Sequence, residues 1–494
     1  MLPAGWRIAL DRGVRRIDGG LVLVGGSPLR ILRLTRAGAR LVDRLEAGDT
    51  VPQSLGAQRL VHRLLHAGIA HPRPDRTTST RRKVAVVIPV RDRAQGLATT
   101  LHALGDVNAV IVVDDGSVDK EVAAVDRVTA RVGAVCLRHE RPRGPGAARN
   151  TGARHATTEL IAFVDAECEP QPGWLDQLLP HFDDESVAAV APRVTSVVPA
   201  SLPAVLARYE SARPSLDLGP DEAVVRPRSR VAFVPTAALI VRASAFADVG
   251  GFDESMPVGE DVDLVWRLGR AGWMVRYDPA ARVTHPARST AAAWFRQRFD
   301  YGTSAAPLAR RHGSAVAPLV VSPWSALAWA LAGTGSPVAG TALAATTTGL
   351  LAPRLRGLEH PWREAARLAG AGHLYAGLAV ADAVRRVWWP CAAAAALVSS
   401  RARIGVLAAV TVPAYLEWRR LRPPLDPVRW TALRLLDDMT YGAGVWRGCV
   451  RERSFAALRP DLTSWPGRRP AVDVNAEADV NSEADVNSGS IPGR

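Results

Sequence analysis

The chain has 494 residues, too long for one ordinary domain and enough for two or three. Apolar residues make up 48%, enough for a large core, and 62 basic against 48 acidic residues leave a net charge of +14. That balance argues against an acidic, solvating chain and fits a nucleotide ligand, an anionic membrane surface or nucleic acid. All basic residues except Lys83 and Lys120 are arginine, whose planar fork grips phosphate; a GC-rich genome explains the same bias equally well. Cys136, Cys168, Cys391 and Cys449 lie far apart without CxxC or Cys/His metal spacing. This argues against a disulfide framework and predicts a reducing, cytoplasmic setting. The first residues, Met1-Leu-Pro-Ala-Gly-Trp-Arg7, lack the apolar stretch of a secretory signal.

Residues 1–75 read as a small α+β unit. Trp6–Leu10 and Leu21–Val24 are short strands punctuated by Gly19-Gly20 and Gly25-Gly26. Thr35–Leu45 is a helix with Thr35 as N-cap, and Gln58–Ala67 is a second. Gly68-Ile-Ala-His-Pro72 follows as a strand or wing. Two helices and a wing resemble a winged-helix domain, and are similar to the PqqD-like peptide-recognition domains of ribosomal-peptide pathways. Residues 76–83 form an Arg/Thr-rich linker.

The texture then changes. Val84–Val90 is a continuous apolar run, as expected of a strand covered on both faces. It is followed by a helix at Gly96–Leu104, a strand at Ala109–Val113, a helix at Glu121–Val132 and a strand at Val135–Arg138. A helix at Ala147–Ala156, a strand at Leu160–Val164, a helix at Trp174–Phe182 and a strand at Val187–Pro192 complete the series. Alternation at this interval predicts an α/β fold with a mostly parallel sheet and right-handed crossovers.

From about residue 290 the chain becomes helical and alanine-rich, and residues 314–353 carry no charge. That length allows one membrane span, or a hairpin bent at Gly333–Pro337. Val387–Ser400 and Ile404–Leu416 are further apolar runs, each shorter than the roughly 20 residues of a span. Arginines flank every run, which suits an anionic cytoplasmic leaflet. The expectation for 313–465 is a membrane-associated helical region, with a soluble α-domain as the alternative. Residues 466–494 contain a repeated acidic hexad, beginning Asp473-Val-Asn-Ala-Glu-Ala, which predicts a disordered tail.

Four motifs carry chemistry. Val87-Ile-Pro89-Val-Arg91-Asp92-Arg93 ends a buried strand in a polar loop, where α/β proteins bind ligands. Asp114-Asp115-Gly116-Ser117 ends the next strand; it is either an ordinary turn or a pair of acceptors for base N–H and ribose hydroxyls. Arg141-Pro-Arg143-Gly144-Pro-Gly146-Ala-Ala-Arg149-Asn150 is a glycine-rich entry to a helix, with free backbone N–H groups but no P-loop Lys-Ser/Thr pair. Ile161-Ala-Phe-Val-Asp165-Ala-Glu167 runs into two carboxylates two residues apart. On an extended backbone these face the same way and suit Mg²⁺ or Mn²⁺; the plain alternative is an acidic loop.

As an ordered set, joined by Gly250-Gly251-Phe252-Asp253-Glu254 and Gly259-Glu260-Asp261-Val-Asp263-Leu-Val-Trp266-Arg267, these motifs resemble the family 2, GT-A fold glycosyltransferases over about residues 83–290. Arg228-Ser-Arg230-Val and Tyr301-Gly-Thr-Ser-Ala-Ala-Pro-Leu308 are similar to the mycofactocin-system members, which glucosylate a peptide-derived redox cofactor. The resemblance implies a GT-A core at 84–312 that moves a hexose, glucose above all, from a UDP-sugar with inversion. Pro89, Arg91, Asp92, Asp114, Asp115, Arg149, Asn150 and Asp165 would bind the donor nucleotide, Asp114 and Asp115 taking uracil and ribose. Asp165, Glu167 and His285 would hold the metal, with Glu167 where the family usually has Asp. Glu260 and Asp261 would face the acceptor, Asp261 as general base. Asp261 also precedes an amphipathic helix, where a plain N-cap role competes and the helix terminus would lower its pKa. A cell-envelope glycan or glycolipid transferase is the second reading. A winged-helix nucleic-acid sensor is the third, and Gln58–Ala67, with only Arg59 and Arg63, gives it little support. No nucleic-acid partner is expected.

Overall fold

The computed structural model describes residues 2–75, 82–105 and 107–462. The repeat tail and most of the 76–83 linker lie outside the described residues. The chain opens with strands β1 (Arg7–Leu10), β2 (Arg15–Ile17), β3 (Val22–Gly25) and β4 (Arg30–Arg33). Helices α1 (Arg36–Glu46) and α2 (Leu55–His66) and strand β5 (Ala70–Arg73) follow. Thr35 caps α1, its hydroxyl accepting from the Gly38 N–H at 3.0 Å. The segment read as a wing is β5, which pairs antiparallel with β1, while β2, β3 and β4 form a separate antiparallel sheet ahead of both helices.

The central sheet follows from the buried apolar runs. Its elements in chain order are β6 (Val84–Val90), α3 (Ala94–Ala103), β7 (Ala109–Asp114), α4 (Asp119–Arg131), β8 (Val135–Arg138), α5 (Pro145–His155) and β9 (Leu160–Val164). Then come β10 (Glu169–Pro170), α6 (Trp174–Leu178), β11 (Val187–Val197), α7 (Ala204–Ala212), β12 (Ala223–Val224) and β13 (Ala238–Arg242). Helices α8 (Ala243–Asp248) and α9 (Glu260–Arg270) and strand β14 (Met274–Pro286) complete it. Across the sheet the order is β10-β14-β11-β13-β9-β6-β7-β8, with β12 against β14. Strands β8, β7, β6 and β9 are mutually parallel, whereas β13 runs antiparallel to both β9 and β11. This mixed half departs from the mostly parallel expectation.

Residues of β6 alternate between two cores. Val84, Val86 and Ile88 enter one and Ala85 and Val87 the other, so both faces are covered. Strand β9 divides in the same way, Ala162 to one side and Phe163 to the other. Because β7 and β8 lie on one side of β6 and β9 on the other, the carboxyl ends of β6 and β9 flank a topological switch point. Ligands of open α/β sheets bind in such a crevice.

The described chain ends in a run of helices: α10 (Ala291–Thr303), α11 (Ala305–His312), α12 (Pro323–Gly333), α13 (Pro337–Leu351), α14 (Pro361–Arg386), α15 (Trp389–Val398), α16 (Ser400–Leu421) and α17 (Pro427–Arg451). Helices α10 and α17 touch backbone to backbone. A Cβ on Gly302 would lie 2.0 Å from the Tyr441 carbonyl oxygen, and one on Gly444 would lie 2.0 Å from that of Phe299. Nearby, Arg298 pairs with Glu210 of α7 at 2.5 Å and Asp437 of α17 at 3.5 Å, and stacks on Trp294 at 4.1 Å. The helical region is thereby tied to the sheet domain.

The membrane-span expectation is corrected. Residues 314–353 do contain a hairpin, but α12 and α13 have 11 and 15 residues. At 1.5 Å per residue they reach roughly 16 and 22 Å, short of a hydrocarbon core of about 30 Å. Helix α16 is long enough but carries Arg401, Arg403, Glu417, Arg419 and Arg420. Among the described residues no helix is long and apolar enough to cross a membrane. The outer end of the bundle still exposes Val338, Leu397, Val398, Ile404 and Leu407, and α15 buries none of its residues.

Candidate active site

The loops after β6, β7 and β9 and the start of α9 converge on the crevice. The sequence-predicted residues divide into those that build its walls and those that reach its charged centre. Asp92 belongs to the walls. It sits at φ +56°, its amide donates to the Ser117 hydroxyl at 2.9 Å, and its carboxylate accepts from the Val118 N–H at 2.8 Å. It therefore stitches the β6–α3 loop to the β7–α4 loop. Pro89 lies within β6 opposite Val113, and Arg91 is exposed just beyond the strand.

Asp114 and Asp115 sit at the end of β7 but have protein partners. Asp114 is fully buried and accepts from the Ser117 N–H at 3.0 Å and Arg138 Nε at 2.9 Å. Asp115 accepts from the N–H groups of Arg143 and Gly144, both at 2.8 Å, and lies 2.7 Å from His139 Nδ1. These bonds shape the glycine-rich loop before α5. Asn150 spends its amide on the 252–254 loop, donating to the Phe252 carbonyl and Glu254 and accepting from the Phe252 N–H at 2.9 Å.

Arg149 reaches the centre. It is 4% exposed, and its fork donates to Asp165 at 2.6 Å and to Glu260 at 2.9 Å. Burial alone would lower its pKa, but the two carboxylates outweigh that and raise it, so Arg149 stays charged. One side chain thus joins the end of β9 to the start of α9.

At the start of α9, Gly259 occupies a left-handed conformation at φ +87°, and a Cβ there would lie 2.7 Å from that of Ser304. That turn sets Glu260 and Asp261 at the helix N-terminus. Asp261 accepts from the Val262 N–H at 2.8 Å. Its pKa is nevertheless pushed up to about 7, first by burial and then by the Glu260 charge, against the pull of helix amides and Arg149. The expectation of a lowered pKa is corrected, because burial outweighs the helix terminus. Asp263, grouped with these acids by sequence, is fully buried and anchored by Arg267 at 2.7 Å, His312 at 2.8 Å and Arg311 at 3.0 Å. It braces α9 rather than facing the crevice.

The Asp165-Ala-Glu167 segment is also not extended. The Cys168 N–H donates to the Asp165 carbonyl at 3.0 Å, closing a turn. The two carboxylates consequently take different partners, Asp165 with Arg149 and Glu167 with another cluster. Glu167 lies 3.2 Å from His285 Nε2 and 3.4 Å from Arg288, and is paired with Arg93. His285 is 6% exposed near the end of β14, not a surface histidine, and burial lowers its pKa and keeps the imidazole neutral. A neutral imidazole nitrogen beside a carboxylate is a chemically fitting start for a divalent cation. Among the described residues, however, no three His, Cys, Asp or Glu side chains form a ready cation site, since Asp165 faces Arg149.

Three residues here were not singled out as site residues by sequence. Arg93 lies inside the quoted Arg91-Asp92-Arg93 motif, and Arg288 follows His285 by three positions. Tyr301 lies in the Tyr301–Leu308 phrase; its hydroxyl accepts from Gln297 at 3.0 Å, and burial pushes its pKa up to about 12. Only the motif context could have pointed to them.

Residues 85–245 match the model of glycosyl transferase family 2. Over 473 residues the chain is 43% identical to the pre-mycofactocin glycosyltransferase of Mycobacterium tuberculosis, covering 93% of this chain and 98% of that protein. This chain belongs to the family 2 glycosyltransferases. Within that family it is of the mycofactocin type. This glycosyltransferase is also similar to glycosyltransferase AglE of Haloferax volcanii, 30% identical over 219 residues that cover 43% of this chain and 69% of that one. A solved mannosyltransferase from Pyrobaculum calidifontis, in complex with GDP-Man and Mn²⁺, is a distant likeness. It is 20% identical with a TM-score of 0.37, covering 62% of this chain and 87% of that one.

With a pKa of about 7, Asp261 must lose its proton before it can accept one from an acceptor hydroxyl. The rate of transfer is therefore expected to fall below about pH 7. Glu260→Gln removes a charge that raises the Asp261 pKa and frees Arg149 to lower it further. The acid limb of the pH–rate profile should move down by roughly a unit; initial rates across pH check this.

Proposed function

We propose that this glycosyltransferase moves a hexose, glucose in the leading reading, from a UDP-sugar to a mycofactocin precursor, with inversion at the anomeric carbon. The observation that carries the reading is Asp261. It stands at the crevice with a pKa of about 7, joined to Asp165 through Glu260 and Arg149. A carboxylate so placed takes the proton of an acceptor hydroxyl as its oxygen attacks the anomeric carbon. The bond from that carbon to the phosphate oxygen breaks, its electron pair leaves on the diphosphate, and Asp261 holds the proton. With Asp165 turned from Arg149 toward Glu167 and His285, the three would hold Mg²⁺ or Mn²⁺, which would supply positive charge to the departing diphosphate. Pro89, Arg91, Asp92, Asp114, Asp115, Arg149 and Asn150 line or brace the donor nucleotide side of the crevice. The 43% identity to a pre-mycofactocin glycosyltransferase supports the acceptor class.

With UDP-glucose and a mycofactocin precursor, the wild-type chain should yield a product heavier by one or more hexoses, with a β-linkage from the α-configured donor. Asp261→Asn should bind UDP within about threefold of wild type while transfer falls by a factor on the order of 10²–10⁴. Near-normal turnover by that variant would remove Asp261 as the base, and an α-linked product would remove inversion.

The exposed apolar end of the bundle favours a further element of the reading, contact with the cytoplasmic membrane face. Leu397, Val398, Ile404 and Leu407 are 62–87% exposed, and the α15–α16 junction adds exposed Arg401 and Arg403. Apolar side chains beside arginines suit an anionic bilayer entered from one side, without crossing. The chain should float with phosphatidylglycerol vesicles and not with phosphatidylcholine ones. Leu397→Glu with Ile404→Glu should abolish flotation; undiminished flotation would dismiss this surface.

A further inference from the structure

Glu167 is surrounded by more positive charge than one carboxylate balances. Arg93, from the loop after β6, and Arg288, two residues past β14, both pair with it. Two guanidinium groups thus face a single carboxylate. Among the described residues, Glu167 is the one acidic ion-pair partner of Arg288 and the one for Arg93. Both guanidinium groups keep access to solvent, their side chains being 47% and 30% exposed, whereas Arg149 is locked between two carboxylates. Two solvent-accessible, under-neutralised guanidiniums at the carboxyl ends of β6 and β14 make a binding site for a doubly charged anion.

We propose that Arg93 and Arg288 form a clamp for the diphosphate of the donor, and that Glu167 occupies their forks in the donor-free protein. The clamp rests on the reading of a nucleoside diphosphate donor and goes beyond it, because neither arginine belongs to the residues assigned to nucleotide or metal. Arginine forks bind phosphate oxygens in pairs, so the diphosphate takes over the N–H donors that Glu167 releases. The two guanidinium groups then stabilise the leaving group as the glycosyl bond breaks. Glu167 in place of the usual Asp fits this role, since its longer arm lets the carboxylate reach the arginines from the turn.

Titration calorimetry in Mg²⁺ buffer with UDP, UMP and inorganic pyrophosphate tests the clamp. The wild type should bind UDP and pyrophosphate. The double variant Arg93→Gln/Arg288→Gln should weaken both at least tenfold and UMP less than threefold. Each single variant leaves one cation on Glu167 and guards against misfolding of the double; each should weaken pyrophosphate at least threefold. UDP and pyrophosphate affinities unchanged in the variants, UMP weakened as much as UDP, or no pyrophosphate binding by the wild type would each overturn the clamp. If pyrophosphate binds and is lost in the variants while UDP fails to bind the wild type, the clamp stands and the UDP-donor reading falls.

Discussion

The site depends on one buried cation. Arg149 lies between Asp165 and Glu260, with the Phe252 ring 5.6 Å away. A guanidinium taken out of water costs several kcal/mol unless its partners are near and well oriented, and removing one member of such a set is costlier than the set is stabilising. Here the arrangement makes the end of β9 and the start of α9 a single electrostatic unit. The glycine-rich loop that delivers Arg149 is shaped by Asp115, and the 252–254 loop beneath it is held by Asn150. Asp115 and Asn150, donor-side candidates in the sequence, thus also position this cation.

The same unit explains how a helix N-terminus can present a carboxyl group with a raised pKa. Helix amides and Arg149 both favour an ionised Asp261, yet burial and the neighbouring Glu260 charge prevail. Arg149 also limits that rise by neutralising part of Glu260. The Asp261 carboxyl is therefore tuned between two opposed influences, and a change at Asp165 reaches it through one side chain.

Much of the fold was legible because burial leaves a local trace. The apolar runs Val84–Val90, Val135–Arg138 and Leu160–Val164 are strands with the boundaries read from sequence. The ordered motifs located the crevice because strand ends are where such sheets bind. What stayed hidden were partners distant along the chain. Asp114 and Asp115 read as ligand acids, since nothing local announces Arg138, His139 and the amides of Arg143 and Gly144. Period-two logic placed Asp165 and Glu167 on one face, but a turn begins where β9 ends. The uncharged stretch 314–353 suggested a span because alanine-rich helices of a bundle share that composition; helix length decided otherwise. Arg93 and Arg288 escaped notice because an arginine among dozens has no distinguishing pattern until the carboxylate it meets is known.

Arg149 couples the Asp165 side of the crevice to Asp261, and the Arg149→Gln variant probes that coupling. With folding verified by circular dichroism, its UDP affinity and the acid limb of its pH–rate profile are measured together. Loss of the cation leaves the Glu260 charge unopposed, so the limb should move to higher pH while UDP binding weakens by at least tenfold. A limb that stays in place, or moves to lower pH, with UDP binding unchanged would contradict the account.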